Sequence, residues 1–162
     1  MNLIIRPARR SDAEVIVEFN RLLARETENK ELDPGILAAG VVAMLTDATK
    51  GRYFVAEACP HPQPLSQAER GEIVGQLGIT LEWSDWRNGN FWWIQSVYVA
   101  PRARRHGVFR SLYQQVLREA RQEPNVIGVR LYVEHDNAAA QATYRKMGMV
   151  MTGYQVMEEV FV

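Results

Sequence analysis

Arg102-Ala103-Arg104-Arg105-His106-Gly107-Val108-Phe109-Arg110 follows the β-prone run Phe91-Trp92-Trp93-Ile94-Gln95-Ser96-Val97-Tyr98-Val99 and precedes an amphipathic helical pattern. A basic, glycine-containing loop between a strand and a helix start is an anion site. The first N–H groups of a helix have no intrahelical partner, and the helix dipole adds positive potential there. The arginines and His106 add charge around them, so a phosphate or diphosphate is the natural ligand. Taken alone the signal is weak, because basic loops are most often solvated surface. A second stretch strengthens it: Asn137-Ala138-Ala139-Ala140-Gln141-Ala142-Thr143-Tyr144-Arg145-Lys146-Met147-Gly148-Met149.

Together the two stretches resemble the signature segments of the GCN5-related N-acetyltransferases (GNAT family). That family's cofactor loop, Arg/Gln-x-x-Gly-x-Gly/Ala, is matched by Arg104-Arg105-His106-Gly107-Val108-Phe109. Its second segment, Asn-x-x-Ala-x-x-x-Tyr-x-x-x-Gly-Phe/Met, is matched by Asn137, Ala140, Tyr144, Gly148 and Met149. Phe109 departs from the pattern, standing where the family has Gly or Ala. Its side chain is expected to turn into the core, away from the cofactor.

Periodicity and turn signals lay out the remainder. Leu3 to Arg6 reads as a strand. Ser11 and Glu14 form a Ser-x-x-Glu capping box, followed by a helix to about Ala24 with Val15, Ile16, Phe19, Leu22 and Leu23 on one face. Arg25 to Asp33 reads as a polar, acidic loop. Asp33-Pro34 opens a second helix with Leu37, Val41, Met44 and Leu45 inward. Arg52 to Ala58 and Ile73 to Trp83 are strands. Residues 59–72 between them are proline-rich and read as an exposed loop insertion. Asn88-Gly89 marks a hairpin into the strand Phe91 to Val99. A helix with Phe109, Leu112, Tyr113, Val116, Leu117 and Ala120 on one face follows. Val126 to Glu134 is apolar enough for a central strand. Asp136 or Asn137 caps a helix ending near Gly148, and Tyr154 to Val162 is a last strand. The resemblance implies the same order in one domain over residues 1–162. Its fold is α/β (α+β), a mixed, mostly antiparallel central sheet with helices on both faces.

The resemblance also implies direct transfer of acetyl from acetyl-CoA, as co-substrate, to a primary amine within a ternary complex. The diphosphate falls to the loop amides of Arg105, His106, Gly107, Val108, Phe109 and Arg110, helped by the Arg104 and Arg105 side chains. Arg102 is read as a solvated charge. The backbone of Val97, Tyr98 and Val99 takes the pantetheine arm, and a backbone N–H there can polarise the thioester carbonyl. Asn137 belongs to the cofactor side. Tyr144 is the proton donor to the departing thiolate. Many family members carry a glutamate where this chain has Gln95. An amide can hydrogen-bond the amine but cannot take its proton. Glu82, Glu134, His135 or a water chain remain as routes for that proton. On the acceptor side, Glu26, Glu28, Glu31 and Asp33 form an acidic cluster that would attract a cationic amine. This region, with Tyr53 to Glu57, resembles that of diamine acetyltransferases. Trp83, Trp86, Trp92 and Trp93 add ring faces for a cation.

Composition bounds these readings. The 162 residues suit one domain, and Lys plus Arg and Asp plus Glu both total 19. Balanced charge argues against a nucleic-acid partner, whose signature would be a steep salt dependence. Cys59 is the only cysteine, which excludes an internal disulfide. No run approaches the roughly 18 apolar residues of a membrane helix, and the N-terminus is too short in its apolar part for a signal peptide. A cytoplasmic protein without metal is expected. Its partner is a small-molecule or peptide amine, and family resemblance suggests a homodimer. The rival reading is a module that binds acetyl-CoA without turnover, for which Gln95 and Phe109 speak.

Overall fold

The structure, a computed structural model, describes residues 1–59 and 71–161. The insertion expected over 59–72 lies mostly outside the described residues. Two compact units are formed, Met1–Leu131 and Tyr132–Val162.

The first unit is built on a five-stranded sheet in the order β1 (Asn2–Pro7), β2 (Arg52–Cys59), β3 (Glu72–Ser84), β4 (Gly89–Val99) and β5 (Val126–Leu131). The first three pairings are antiparallel and β4–β5 is parallel. The β3–β4 hairpin turns where expected, with Asn88 in the left-handed region at φ 47°. Between β1 and β2 lie α1 (Ala13–Glu28) and α2 (Pro34–Thr46), and between β4 and β5 lies α3 (Val108–Gln122).

Strand parity decides which helix covers which face. Tyr53 and Val55 of β2 form one buried cluster with Ile16 of α1 and Val41 of α2, joined by Leu37 and Met44. On β3, Gly75 faces the other way: a Cβ there would lie 2.8 Å from Val108 Cγ1 at the start of α3. Gly78, of opposite parity, backs onto the Tyr53 ring, 2.9 Å from where its Cβ would be. The two glycines thus let α3 and Tyr53 approach the sheet closely from opposite sides.

Several expectations need correction. The cap before α1 is not Ser11 with Glu14. Asp12 is the N-cap residue of α1 and makes no side-chain cap to it; its carboxylate accepts the Arg9 N–H at 2.7 Å and closes the preceding 3₁₀ turn, Arg10–Asp12. Helix α1 runs past Ala24 to Glu28 and stops at Asn29, whose φ of 51° is a left-handed cap. Arg25, Glu26 and Glu28 are good helix formers, and hydrophobic periodicity cannot register a helix end that buries nothing. In α3 it is Val108, not Phe109, that is fully buried; Phe109 is half-buried against Tyr113, ring centroids 6.0 Å apart. Among the described residues strand β5 is shorter than expected and sits at the sheet edge, not at its centre.

In the second unit, α4 (Ala138–Lys146) is capped by Asn137, whose side chain accepts the Ala140 N–H at 3.0 Å. Gly148, at φ 92°, ends it. Among the described residues 150–161 form no strand, against the expected final strand from Tyr154. Strand propensity expresses packing against neighbours more than a backbone preference, so a β-prone segment alone does not become a strand. Among the described residues no helix is long and apolar enough to cross a membrane.

A buried ion cluster ties β1, β2 and the entry to α1. Arg6 reaches Asp12 at 2.7 Å and Glu57 at 2.8 Å, and all three are nearly buried. Hydrogen bonds donated to Asp12 and then to Glu57 hold the guanidinium pKa above its ordinary value despite burial. Arg6→Met removes the shared cation and leaves two buried carboxylates facing each other. Denaturant unfolding is expected to show a loss of about 3–5 kcal/mol; a loss below about 1 kcal/mol would show that the cluster is a surface-type pair.

Candidate active site

The site begins where the β3–β4 ladder breaks. Gln76 pairs with Tyr98 and Gly78 with Gln95, so Leu77 stands opposite both Ser96 and Val97. This is a bulge in β4, and Ser96 takes φ 46° to make it. The Ser96 carbonyl, turned out of the ladder, accepts the Gln76 side-chain amide at 3.2 Å. The same amide donates to Asn20 Oδ1 at 2.5 Å, and Asn20 donates to the Tyr53 hydroxyl at 3.2 Å. Gln76, Asn20 and Tyr53 are all buried. Burial pushes the Tyr53 phenol pKa up, opposed by the hydrogen bonds from Asn20 and Ser96. Gln76 Oε1 is, among the described residues, a buried acceptor with no hydrogen-bond partner.

Past the bulge, β4 separates from its other neighbour. The β4–β5 ladder stops at Ile94 opposite Leu131, while β4 continues to Val99. Within the first unit the Gln95–Val99 edge therefore presents backbone groups that β5 does not pair. The Tyr98 side chain is buried, stacks on Phe19 at 5.0 Å and donates its hydroxyl to Glu26 at 2.8 Å. Any ligand contact at Tyr98 falls to its backbone.

The basic loop follows. Arg105 and Gly107 both have positive φ, 66° and 80°. Gly107 is the N-cap of α3 and supplies no side-chain cap, so the first helix N–H groups face outward. A Cβ at Gly107 would meet nothing within 4 Å. Glycine is needed there for its left-handed backbone, and the space beside it is open. Arg105, His106 and Arg110 are exposed around this N-terminus.

Arg104 is placed differently from expectation. Its Nε donates to the Val99 carbonyl at 3.0 Å and its Nη2 pairs with Glu26 at 2.6 Å, while the guanidinium lies over the Tyr98 ring. The Glu26 pKa is lowered, first by Arg104 and then by Tyr98. Arg104 thus ties the end of α1 to the end of β4. Arg102 pairs with Glu72 on the surface.

The acidic cluster is neutralised from within. Besides Glu26 with Arg104, Glu28 pairs with Lys30 at 2.6 Å and Glu31 pairs with Arg25. Asp33 caps α2 by accepting the Ile36 N–H at 2.8 Å. Glu82 is likewise engaged. One oxygen takes Arg130 at 2.7 Å and the other the Trp93 indole N–H. It lies six positions along β3 from Gln76, roughly 20 Å at strand spacing, so the structure does not bring Glu82 to the bulge. Among the described residues the tryptophans offer no shared cation box: Trp83 and Trp86 are exposed, Trp92 is core, and the Trp93 ring already has the Arg130 guanidinium 5.8 Å from its centroid. Gln95 is half-buried, its amide 3.4 Å from the Thr80 hydroxyl.

A cavity of about 480 Å³ opens between α1 and α2 and reaches Asn20, Tyr53 and Ser96 at the bulge; Glu28 is on its rim. Nothing in periodicity or motif had marked Asn20 or Gln76. A polar residue on an apolar helix face, as Asn20 is between Phe19 and Leu23, was the available signal. Of the residues in the second unit, Asn137 is the cap of α4 and Tyr144 lies on the same helix. Glu134 and His135 precede it, exposed, with His135 beside Asp136 at 3.1 Å. Among the described residues no group of His, Cys, Asp and Glu is placed to hold a metal ion.

The chain belongs to the acetyltransferase (GNAT) family, whose model matches residues 38–149. Its structure is similar to that of a possible acetyltransferase from Clostridium difficile 630, with 41% identity, 100% and 99% of the two chains covered and a TM-score of 0.85. Two more distant structures share the fold. One is a predicted acetyltransferase with acetyl-CoA from Clostridium acetobutylicum (18% identity, 97% and 96% coverage, TM-score 0.73). The other is glucosamine-6-phosphate N-acetyltransferase from Arabidopsis thaliana (19% identity, 100% of both chains, TM-score 0.69). No curated protein matches the sequence.

Proposed function

We propose that this GNAT-family protein is an N-acetyltransferase that moves acetyl from acetyl-CoA directly to a primary amine. The observation that carries the reading is the β4 edge from Gln95 to Val99, free of β5, running into the uncapped N-terminus of α3. An amide-bearing arm can pair with the first and a diphosphate can rest on the second.

Acetyl-CoA supplies an activated thioester. Backbone N–H groups past the bulge polarise its carbonyl oxygen. The amine nitrogen forms the new C–N bond as the C–S bond breaks, and the Tyr144 hydroxyl gives its proton to the departing sulfur. The amine's proton leaves through water. Gln95 cannot accept it, Glu82 is held by Arg130 and Trp93 away from the bulge, and Glu134 is exposed on the second unit.

Acetyl-CoA or CoA at about a hundredfold excess over its Kd is expected to add about 2.7 kcal/mol, a rise of roughly 5–10 °C in Tm. Gly107→Glu should abolish the rise, placing a carboxylate on a left-handed backbone beside the helix start. Arg105→Ala should weaken CoA more than Arg104→Ala, because Arg104 is committed to Glu26 and Val99. An unchanged melting curve with both ligands would refute the cofactor reading.

Tyr144→Phe should lower kcat by about 10²–10⁴ with CoA affinity nearly intact, as for loss of a general acid. Equal turnover of the two proteins, measured by thiol release, would remove Tyr144 from the chemistry.

Activity is expected to climb about tenfold per pH unit until the acceptor's own pKa, since only the free amine attacks. Gln95→Glu should move that rising limb to lower pH. A parent profile already flat well below the acceptor pKa would reveal an efficient base, and Glu82→Gln and Glu134→Gln would show which carboxylate supplies it.

A further inference from the structure

Resting on the acetyltransferase reading, we infer that the cavity between α1 and α2 takes a monoamine with an uncharged aliphatic or aromatic body, and excludes diamines and polyamines. Its walls are Leu23, Ala24, Leu32, Ile36, Leu37 and Val41. Its floor is Asn20, Tyr53 and Ser96, the last being the bulge residue beside which the acetyl group must be presented. The volume of about 480 Å³ fits a small molecule, within the roughly 300–1,000 Å³ usual for such pockets.

Two observations set the class. The floor polar groups are neutral, buried and ordered by one another. Asn20 is fixed between Gln76 and the Tyr53 hydroxyl, and burial keeps Tyr53 in its phenol form. A free amine finds hydrogen-bonding partners there, whereas an ammonium finds no countercharge. Along the inner walls, a second cationic centre would lose water against the half-buried Leu23 and Leu37 and the buried Val41, an unfavourable transfer. The charges at the mouth do not offset it, because the carboxylate there, Glu28, is already paired with Lys30. Of the acidic residues that suggested a cationic acceptor, Glu26, Glu28 and Glu31 pair with Arg104, Lys30 and Arg25, and Asp33 caps α2.

The test is a matched pair, hexylamine against hexamethylenediamine, which differ by one terminal amine. Thiol release from acetyl-CoA should give a kcat/KM at least about tenfold higher for hexylamine at one pH, the scale on which an apolar pocket separates close analogues. Direct titration of the protein with each amine, followed by calorimetry, should show the same order. Ile36→Glu then places a carboxylate in the wall. Ile36 is 76% exposed, so the fold tolerates the change. The variant should lower activity with hexylamine and raise it with the diamine, narrowing the ratio by about tenfold. Equal or preferred diamine use by the parent, or a ratio unmoved by Ile36→Glu, overturns the inference while leaving the acetyltransferase reading intact. Hexylamine that binds more tightly than the diamine but is never acetylated, in company with every other amine tried, upholds the inference and overturns the acetyltransferase reading. Binding that favours the diamine overturns the inference whatever the turnover.

Discussion

A single extra residue in β4 organises the molecule. With Ser96 and Val97 together opposite Leu77, the strand changes direction in the middle of the sheet. The left-handed backbone of Ser96 is costly for a non-glycine residue, and it persists because the surroundings hold it. Gln76 replaces the lost ladder partner of the Ser96 carbonyl, and Asn20 fixes Gln76 from α1. Gly78 clears the space in which the Tyr53 ring lies against β3, and Gly75 admits the first turn of α3 from the opposite face. The bulge, the pocket floor and the seat of α3 therefore arise from a few adjacent positions on two strands. Altering any one of them shifts the others.

Charge in this protein is spent on structure more than on ligand attraction. Arg6 joins Asp12 and Glu57, Arg130 holds Glu82, and Arg104 holds Glu26. Other basic side chains remain for a ligand: Arg105, His106 and Arg110 are all exposed around the start of α3. A neutral pocket on one side of β4 and a positive helix terminus at its end suit two ligands of different chemistry, one apolar and one anionic.

The sequence was most informative where a local rule decides the structure. Asp33-Pro34 opened α2, Asn88-Gly89 turned the hairpin, and Asn137 capped α4, each through a side chain or a φ value that acts within a few residues. Gly107 before α3 belongs to the same group. Long-range partners were invisible. Glu82 and Glu26 could be read as a base and a cation lure because nothing local shows that Arg130 and Arg104, 48 and 78 positions away, will claim them. Strand position failed for a similar reason: an apolar run such as Val126 to Leu131 reports burial on two faces, not how many neighbours pair its backbone.

The same distinction explains why the pocket floor escaped notice. Asn20 on an apolar helix face and Gln76 in an apolar strand each look like isolated polar residues, which burial should exclude. Each is acceptable only because the other is present: Gln76 donates to Asn20, and Asn20 donates to Tyr53. Such a set is more demanding than an apolar core, since removing one member strands the rest. A core of this size could have been filled with leucine and valine throughout. Polar side chains at this depth make sense where the sheet must both break its ladder and offer hydrogen bonds to something that enters. The bulge needs Gln76, Gln76 needs Asn20, and Asn20 orients a phenol on the cavity floor. Hydrogen-bonding groups at the floor are thus a by-product of holding the strand open, and under the proposed function the geometry of the reaction and the selection of its substrate would depend on one buried network.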